Sequence, residues 1–191
     1  MAAFHTQNPT VPQYMSECWT HLNSNEGFFD LPGFVGGPVR NYGAGALAWT
    51  LGGSTSYDVA YPGGCAPCSG IVQVDLPNRT YHLTPDYYKL GHFSRYAPRG
   101  AVFHTGGGSH IYPDGTGVQA TAFVRPGGER VVVIENRIRA DLNLTLSFGS
   151  GDAWSGVTPQ RSISTWVLPP HAARVLPPSH AAAGSVEAAE R

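Results

Sequence analysis

Charged residues and long apolar runs are scarce in this chain of 191 residues. Charged side chains make up 13% of it, about half of the usual share. The 12 basic and 13 acidic residues nearly cancel, so the chain lacks the basic surface that binds nucleic acid or anionic membranes. It contains no run of 18 apolar residues, which argues against a membrane span. Its first residues are neither basic nor apolar, so no signal peptide is predicted in this chain.

Cysteine is also rare, since three residues cannot form a disulfide framework by themselves. Cys65 and Cys68 form a Cys-x-x-Cys pair in a loop rich in glycine and proline. The pair could be a redox motif, half of a zinc site or a small structural disulfide. A zinc site needs two further ligands and a redox motif needs a strand–helix junction, so the disulfide is favoured. Cys18 is then an unpaired thiol.

Cofactor motifs are missing as well. The eight histidines show no spacing typical of a metal site, and the glycines at 106–108 lack the flanking helix and lysine of a phosphate-binding loop. We therefore predict neither a metal nor another cofactor. Two glycosylation sequons begin at Asn78 and Asn143. Together with a disulfide, they favour an extracellular location for the full-length form.

Glycine (24 residues), proline (16 residues) and aromatics (11%) are abundant and predict a soluble, loop-rich, β-leaning chain with a packed core. Up to residue 98 the pattern indicates an α/β portion, with strands and helices in alternation. Its predicted strands are 11–18, 44–51 and 71–76, with a long loop at 52–70, and its predicted helices are 32–42 and 84–96, the latter with Thr84 as N-cap and Pro85 in the first position.

Residues 99–168 show a different pattern, which is all-β. Short strand-like runs separated by turn signals are typical of a β-sandwich. The predicted strands are 101–105, 118–125, 130–135, 142–148 and 163–168, the second and third forming a hairpin. Residues 169–191 are rich in proline, alanine and serine and are predicted to be a disordered tail.

Four segments, in order, resemble glycoside hydrolase family 30, the family of glucosylceramidase and fungal endo-β-1,6-glucanases. Together they span about residues 4–168. The segments are Tyr-Met-Ser-Glu-Cys-Trp at 14–19, Gly-Ala-Leu-Ala-Trp-Thr-Leu at 45–51, Gly-Gly-Cys-Ala-Pro-Cys-Ser-Gly-Ile-Val at 63–72 and Tyr-Tyr-Lys-Leu-Gly-His-Phe-Ser-Arg-Tyr at 87–96.

The resemblance implies a (β/α)8 barrel with a side β-sandwich. A whole barrel takes roughly 250 residues, so this chain would hold the last two strand–helix units and most of the sandwich. The general acid/base of the family lies in an Asn-Glu-Pro motif on an earlier strand. Here the only Asn-Glu pair is Asn25-Glu26, and Gly27 follows it. The chain thus resembles the C-terminal part of the enzyme, either as a truncated product or as one half of a larger protein. The resemblance also implies a partner, the missing N-terminal segment of the barrel.

Glu17 is the candidate nucleophile that the resemblance implies. Retaining glycosidases use two carboxyl groups about 5 Å apart, one of which attacks the sugar. From spacing alone, Glu17 could equally be a carboxylate that meets water at a strand end. Trp49 is a candidate sugar-stacking residue or a core aromatic, and Trp19 and His21 are candidates for lining the same pocket.

Two functional hypotheses follow. The first is a retaining β-glycosidase acting on a β-linked glucan or a glucosyl lipid, and the Cys-x-x-Cys loop favours the microbial, glycan-degrading branch. The second is a non-catalytic carbohydrate-binding or structural β-sandwich fragment, which the absence of Asn-Glu-Pro favours for this chain alone.

Overall fold

The computed structural model describes residues 1–19, 29–55, 70–106, 109–149 and 151–171. His21, Cys65, Cys68 and the segment 172–191 lie outside the described residues. The described helices are α1 (Ala2–Gln7), α2 (Asp30–Arg40) and α3 (Pro85–Ser94), and the strands are β1 (Gln13–Trp19), β2 (Gly43–Trp49), β3 (Gly52–Ser54), β4 (Val72–Asp75), β5 (Thr80–Leu83), β6 (Val102–His104), β7 (His110–Ile111), β8 (Gly117–Val124), β9 (Arg130–Asn136), β10 (Leu142–Ser147), β11 (Ala153–Thr158) and β12 (Ser162–Leu168).

Strands β1 and β2 pair in parallel, and helix α2 connects them and packs on both. This is a strand–helix–strand unit, as the sequence predicts for the first portion. Helix α2 ends at Arg40, and Tyr42 then adopts a φ of +68°. Position 43 requires a glycine, because a Cβ there would lie 2.8 Å from the carbonyl oxygen of Pro38. The turn from α2 into β2 is therefore tight and specific.

Helix α3 begins as predicted, with Thr84 in an extended conformation and Pro85 in the first turn. The Thr84 hydroxyl does not cap the helix. It lies 3.1 Å from the carbonyl oxygens of Gly70 and Ile71 and donates to them. Thr84 thereby fixes the start of α3 to the chain that enters β4. Strand β4 is the middle strand of a small sheet of order β3–β4–β5.

The second portion contains a larger sheet of order β12–β9–β8–β6, with β7 also paired to β8. Strands β8 and β9 form the predicted antiparallel hairpin. On one face, Phe123, Val131 and Val133 form one core cluster with Phe93 of α3 and with Val35 and Val39 of α2. The core thus joins both portions, and the domain boundary at residue 98 stays a prediction.

The opposite face of the large sheet meets the antiparallel pair β10–β11. Trp166 of β12 packs over Gly156 of β11, where an added Cβ would lie 3.0 Å from the indole ring. The buried Asn136 amide donates to the carbonyl oxygens of Thr158 and Pro159 at 3.2 and 2.9 Å. These contacts give two stacked sheets, as expected for a sandwich.

Several elements differ from the sequence-based expectations. Helix α1 and strands β5, β7 and β11 are not predicted. The first residues of the predicted long loop at 52–70 form β3, which pairs in parallel with β4. Each of these strands is short or contains glycine, serine or histidine in place of an alternating apolar pattern, so the sequence signal is weak.

Candidate active site

Glu17 and Trp49 lie at the same edge of the parallel pair. The register places Cys18 opposite Ala48 and Trp19 opposite Trp49, so the carboxyl ends of β1 and β2 meet. A register shift falls between Met15 and Cys18, the stretch that contains Glu17. Such irregularities often redirect a side chain at a functional site.

Both candidate side chains reach solvent. Glu17 is exposed, and the Trp49 side chain is 52% exposed. An exposed indole and an exposed carboxylate at one edge suit a sugar ring, because an indole can stack on the apolar face of the ring and a carboxylate can attack its anomeric carbon. For Trp19, the structure places the backbone at the end of β1 but does not describe the side chain.

The chain beyond Trp49 is tied to the next sheet. The Trp49–Thr50 peptide bond is cis. The carbonyl oxygens of Thr50 and Leu51 accept hydrogen bonds of 2.9 Å from the amides of Ile71 and Val72. The strand end that carries Trp49 is therefore anchored to the chain that enters β4.

The two sequon asparagines are both exposed. Asn78 lies in the turn between β4 and β5, where its side-chain amide donates to Asp75 at 2.8 Å. Asn143 lies on β10, opposite Val157. Its neighbour in the sequon, Thr145, shares a 2.8 Å hydrogen bond with Ser155. Neither asparagine lies in the β1–β2 pair that forms the candidate active-site edge.

A cluster of charged side chains that the sequence analysis did not single out lies behind the candidate site, between α2 and the large sheet. Glu135 of β9 is 1% exposed, and Arg137 donates to it at 2.6 Å. Burial raises the pKa of the Glu135 carboxyl above its ordinary value, while Arg137 and Arg40 act in the opposite direction. The sequence contains one sign of this buried residue, because Glu135 directly follows the apolar run Val-Val-Val-Ile at 131–134.

In the part of the chain that the structure describes, no three His, Cys, Asp or Glu side chains gather as a metal site. The same residues include no helix of the length and apolarity needed to cross a membrane.

The comparisons with known proteins agree with the architecture. Residues 102–166 match the family model of the glycosyl hydrolase family 30 beta sandwich domain. The chain is 41% identical over 171 residues to an endo-1,6-beta-D-glucanase of Aspergillus fumigatus, covering 88% of this chain and 34% of the relative. It is 33% identical over 94 residues to the lysosomal acid glucosylceramidase of Mus musculus, covering 49% of this chain and 18% of the relative.

Solved structures show the same fold at low identity. An endo-beta1,6-glucanase matches with a TM-score of 0.74 and 22% identity, over 88% of this chain and 38% of the other. SrfJ from Salmonella typhimurium matches with a TM-score of 0.72 and 22% identity, over 90% of this chain and 38% of the other. The chain spans about a third of the length of the curated glucanases that it matches. Residues 102–166 therefore correspond to the glycosyl hydrolase family 30 beta sandwich domain, and the chain as a whole is similar to the C-terminal part of that family's glucanases.

Proposed function

We propose that this chain carries the nucleophile half of a retaining β-glycosidase, with Glu17 as the nucleophile. The observation that supports this most is the parallel pairing of β1 and β2, which brings the Glu17 segment and Trp49 to one edge. In the complete barrel, such an edge is the catalytic face. The chain would supply the last two strand–helix units of that barrel and the side sandwich.

The proposed reaction proceeds by double displacement. The Glu17 carboxylate attacks the anomeric carbon, and the glycosidic C–O bond breaks as the leaving oxygen takes a proton from the general acid. Water then attacks the covalent glycosyl–Glu17 ester and releases the sugar with retained configuration. Because this sequence has no Asn-Glu-Pro motif, the general acid comes from an N-terminal barrel segment that completes the site.

A β-1,6-linked glucan is the substrate class that the relatives favour. The endo-1,6-beta-D-glucanases of Aspergillus fumigatus and Trichoderma harzianum are each 41% identical to this chain, over 88% and 87% of it. The glucosylceramidase relative is matched over about half of the chain only. A glucosyl lipid is therefore the second choice, and the half-exposed Trp49 indole would stack on the glucose ring in either case.

The same proposal includes the environment of the enzyme. We expect the full-length form to be secreted, with Cys65 and Cys68 joined in a loop disulfide. Asn78 and Asn143 are the proposed glycosylation sites. Their exposure supports this, because a glycan requires an asparagine that faces solvent.

The test is covalent trapping in a chimera that joins this chain to the N-terminal two thirds of a related endo-1,6-glucanase. An activated 2-fluoro-β-glucosyl probe slows the second step, so the nucleophile should stay labelled. Peptide mass spectrometry should find the label within residues 14–19. Glu17→Gln should abolish labelling and turnover, because the amide keeps the shape but cannot attack.

Glu129→Gln, which changes a partly exposed carboxylate of the β8–β9 turn, is the matched control and should leave labelling intact. Label on another residue, or full turnover in Glu17→Gln, would reject the nucleophile assignment. An inactive chimera together with tight binding of β-1,6-glucan by the chain itself would favour the second candidate, a non-catalytic carbohydrate-binding fragment.

That second candidate has one structural observation in its favour. A cavity of about 470 Å³ opens between strands β6, β8 and β9 and strand β10. Its lining combines apolar side chains with the polar groups of His104, Arg130, Thr145 and His171. Such a mixture is typical of small-molecule sites.

A further inference from the structure

The buried charged cluster lies where helix α2 rests on the large sheet. Arg40, the last residue of α2, donates through Nη1 to the Thr121 hydroxyl of β8 at 2.6 Å. Arg137, which follows β9, donates to Glu135 Oε2 through Nη2 at 2.6 Å and through Nε at 3.2 Å. Glu135 is therefore a buried acceptor for Arg137, and the charge of Arg40 from helix α2 also acts on it.

The charge of Glu135 also acts on Arg40. Burial lowers the pKa of Arg40, and the negative charge of Glu135 opposes that effect. The second cation, Arg137, adds to the lowering. The two guanidinium groups act unfavourably on each other, so removal of the Glu135 charge leaves this repulsion without its compensating carboxylate.

The other end of α2 is held by the same cluster. Phe29 precedes the first residue of the helix and is 6% exposed. The guanidinium groups of Arg137 and Arg161 lie 5.0 and 5.5 Å from the centre of its ring. These are cation–π distances. Arg137 thus links Glu135 to the start of α2, while Arg40 anchors its end.

Helix α2 needs such anchors. Its sequence, Asp-Leu-Pro-Gly-Phe-Val-Gly-Gly-Pro-Val-Arg, contains three glycines and two prolines in 11 residues. Glycine costs about 1 kcal/mol relative to alanine within a helix, and proline inside a helix costs more. The position of α2 is therefore set by packing and by its end contacts rather than by helix propensity.

We propose that Glu135 is a positioning residue, which fixes helix α2 from both ends and thereby holds the strand ends that carry Glu17 and Trp49 in place. This inference rests on the proposed function for its catalytic meaning. Its structural content stands separately, because α2 is the connection between β1 and β2. The sandwich would then act on the candidate active site without touching the substrate.

Hydrogen–deuterium exchange of the full chain, read by mass spectrometry, tests the structural content. Glu135→Gln keeps an acceptor but removes the charge. We expect faster exchange in peptides of α2 and of the ends of β1 and β2, and unchanged exchange in β10–β11. Thr121→Val removes only the acceptor of Arg40 and should give the same pattern at the C-terminal half of α2. It provides the test if Glu135→Gln does not fold.

Asp152→Asn is the matched control, because it breaks the 3.0 Å ion pair with Arg130 at the other end of the large sheet. It should leave exchange in α2 unchanged. Unaltered α2 exchange in both Glu135→Gln and Thr121→Val would overturn the proposal. So would a uniform increase that includes β10–β11, because that pattern indicates loss of general stability.

Kinetics of the chimera then test the catalytic meaning. Glu135→Gln should lower kcat roughly tenfold to a hundredfold with a smaller change in KM, since a small misplacement of a nucleophile costs about that much. A local change in exchange with unaltered kcat would reject the catalytic role of Glu135. If Glu17 proves not to be the nucleophile, the exchange experiment still decides whether Glu135 positions α2.

Discussion

His92 couples helix α3 to the sandwich through a single hydrogen bond. Its Nδ1 lies 2.8 Å from the Thr165 hydroxyl of β12, and the side chain is partly buried. Burial lowers the pKa of His92 below its ordinary value. The folded protein therefore prefers the neutral imidazole, whereas the unfolded chain takes up a proton near pH 6.5.

The burial of His92 predicts that the free energy of unfolding falls in acid. Because the folded pKa is lowered, the unfolded state binds more protons between the folded value and about 6.5, so stability falls as pH drops below about 6.5. Thermal melts from pH 5 to 8 should show this slope in the wild type. His92→Gln should flatten it, whereas His110→Gln, at an exposed position, should keep it.

At single positions, motifs in the sequence identify candidate residues but not the environment of a residue in the fold. Glu17 and Trp49 were identified from motifs, and the structure brings their segments together. Glu135 was missed because Arg40, whose charge acts on it, is remote in the chain, and because its partner Arg137, two residues away, gives no sign of burial. Only the folded arrangement of α2 over β8 and β9 makes this glutamate a buried acceptor.

Two neighbouring glycines of helix α2 play opposite roles. At Gly36, a Cβ would lie 2.8 Å from Nη1 of Arg40 and 2.9 Å from Oγ1 of Thr121, so it would push apart the hydrogen bond between them. At Gly37, an added Cβ meets nothing within 4 Å. The helix thus approaches the sheet most closely on the Gly36 side.

We predict that Gly36→Ala lowers the free energy of unfolding by about 1–3 kcal/mol, since it forces the Arg40 side chain or the helix to shift. Gly37→Ala should raise it by about 0.5–1 kcal/mol through helix propensity. Denaturant titrations of the two variants measure both effects. Equal effects of the two substitutions would contradict the close approach at Gly36.

Among the elements, those with a clear local pattern were predicted, whereas those that form through contacts with remote elements were not. Strands β8 and β9 and helices α2 and α3 lie close to their predicted bounds. Strand β11 contains Ser-Gly in its middle, a composition typical of loops. It forms a strand because Gly156 accommodates the Trp166 ring, a contact between elements that no local pattern reports.

Across the whole molecule, the parallel pair β1–β2 leaves large apolar side chains on the surface. Tyr14 and Leu47 are 61% and 58% exposed, and Leu51, two residues beyond β2, is 71% exposed. Exposed strand edges and apolar patches of this kind promote association. In the complete barrel that we propose, neighbouring strand–helix units would cover them.

We therefore predict that the 191-residue chain self-associates when it is produced alone. Size-exclusion chromatography with light scattering should show oligomers or aggregates whose share grows with concentration. Addition of the N-terminal barrel segment of a related glucanase should reduce their share. A monomer with a cooperative melt at all concentrations would contradict the proposal that these surfaces are covered in a larger barrel.

The overall class, an α/β portion followed by a β-sandwich, was accessible from the sequence because each portion has its own periodicity. How the portions pack was not accessible. Phe93 and Val39 from the first portion share one cluster with Val131 and Val133 from the second. That arrangement depends on the three-dimensional fit of side chains from separate elements, which composition and spacing do not encode.

The burial of all seven residues of β9 has a consequence for the order of events during synthesis. Helices α2 and α3 leave the ribosome before β9 does, yet Val35, Val39 and Phe93 pack against its valines. Until that strand emerges, the apolar sides of both helices face water without their partner. The nascent chain therefore stays incompletely folded through most of its translation. The packing of α2 and α3 against β9, a contact between segments far apart in the chain, is the step that completes the core.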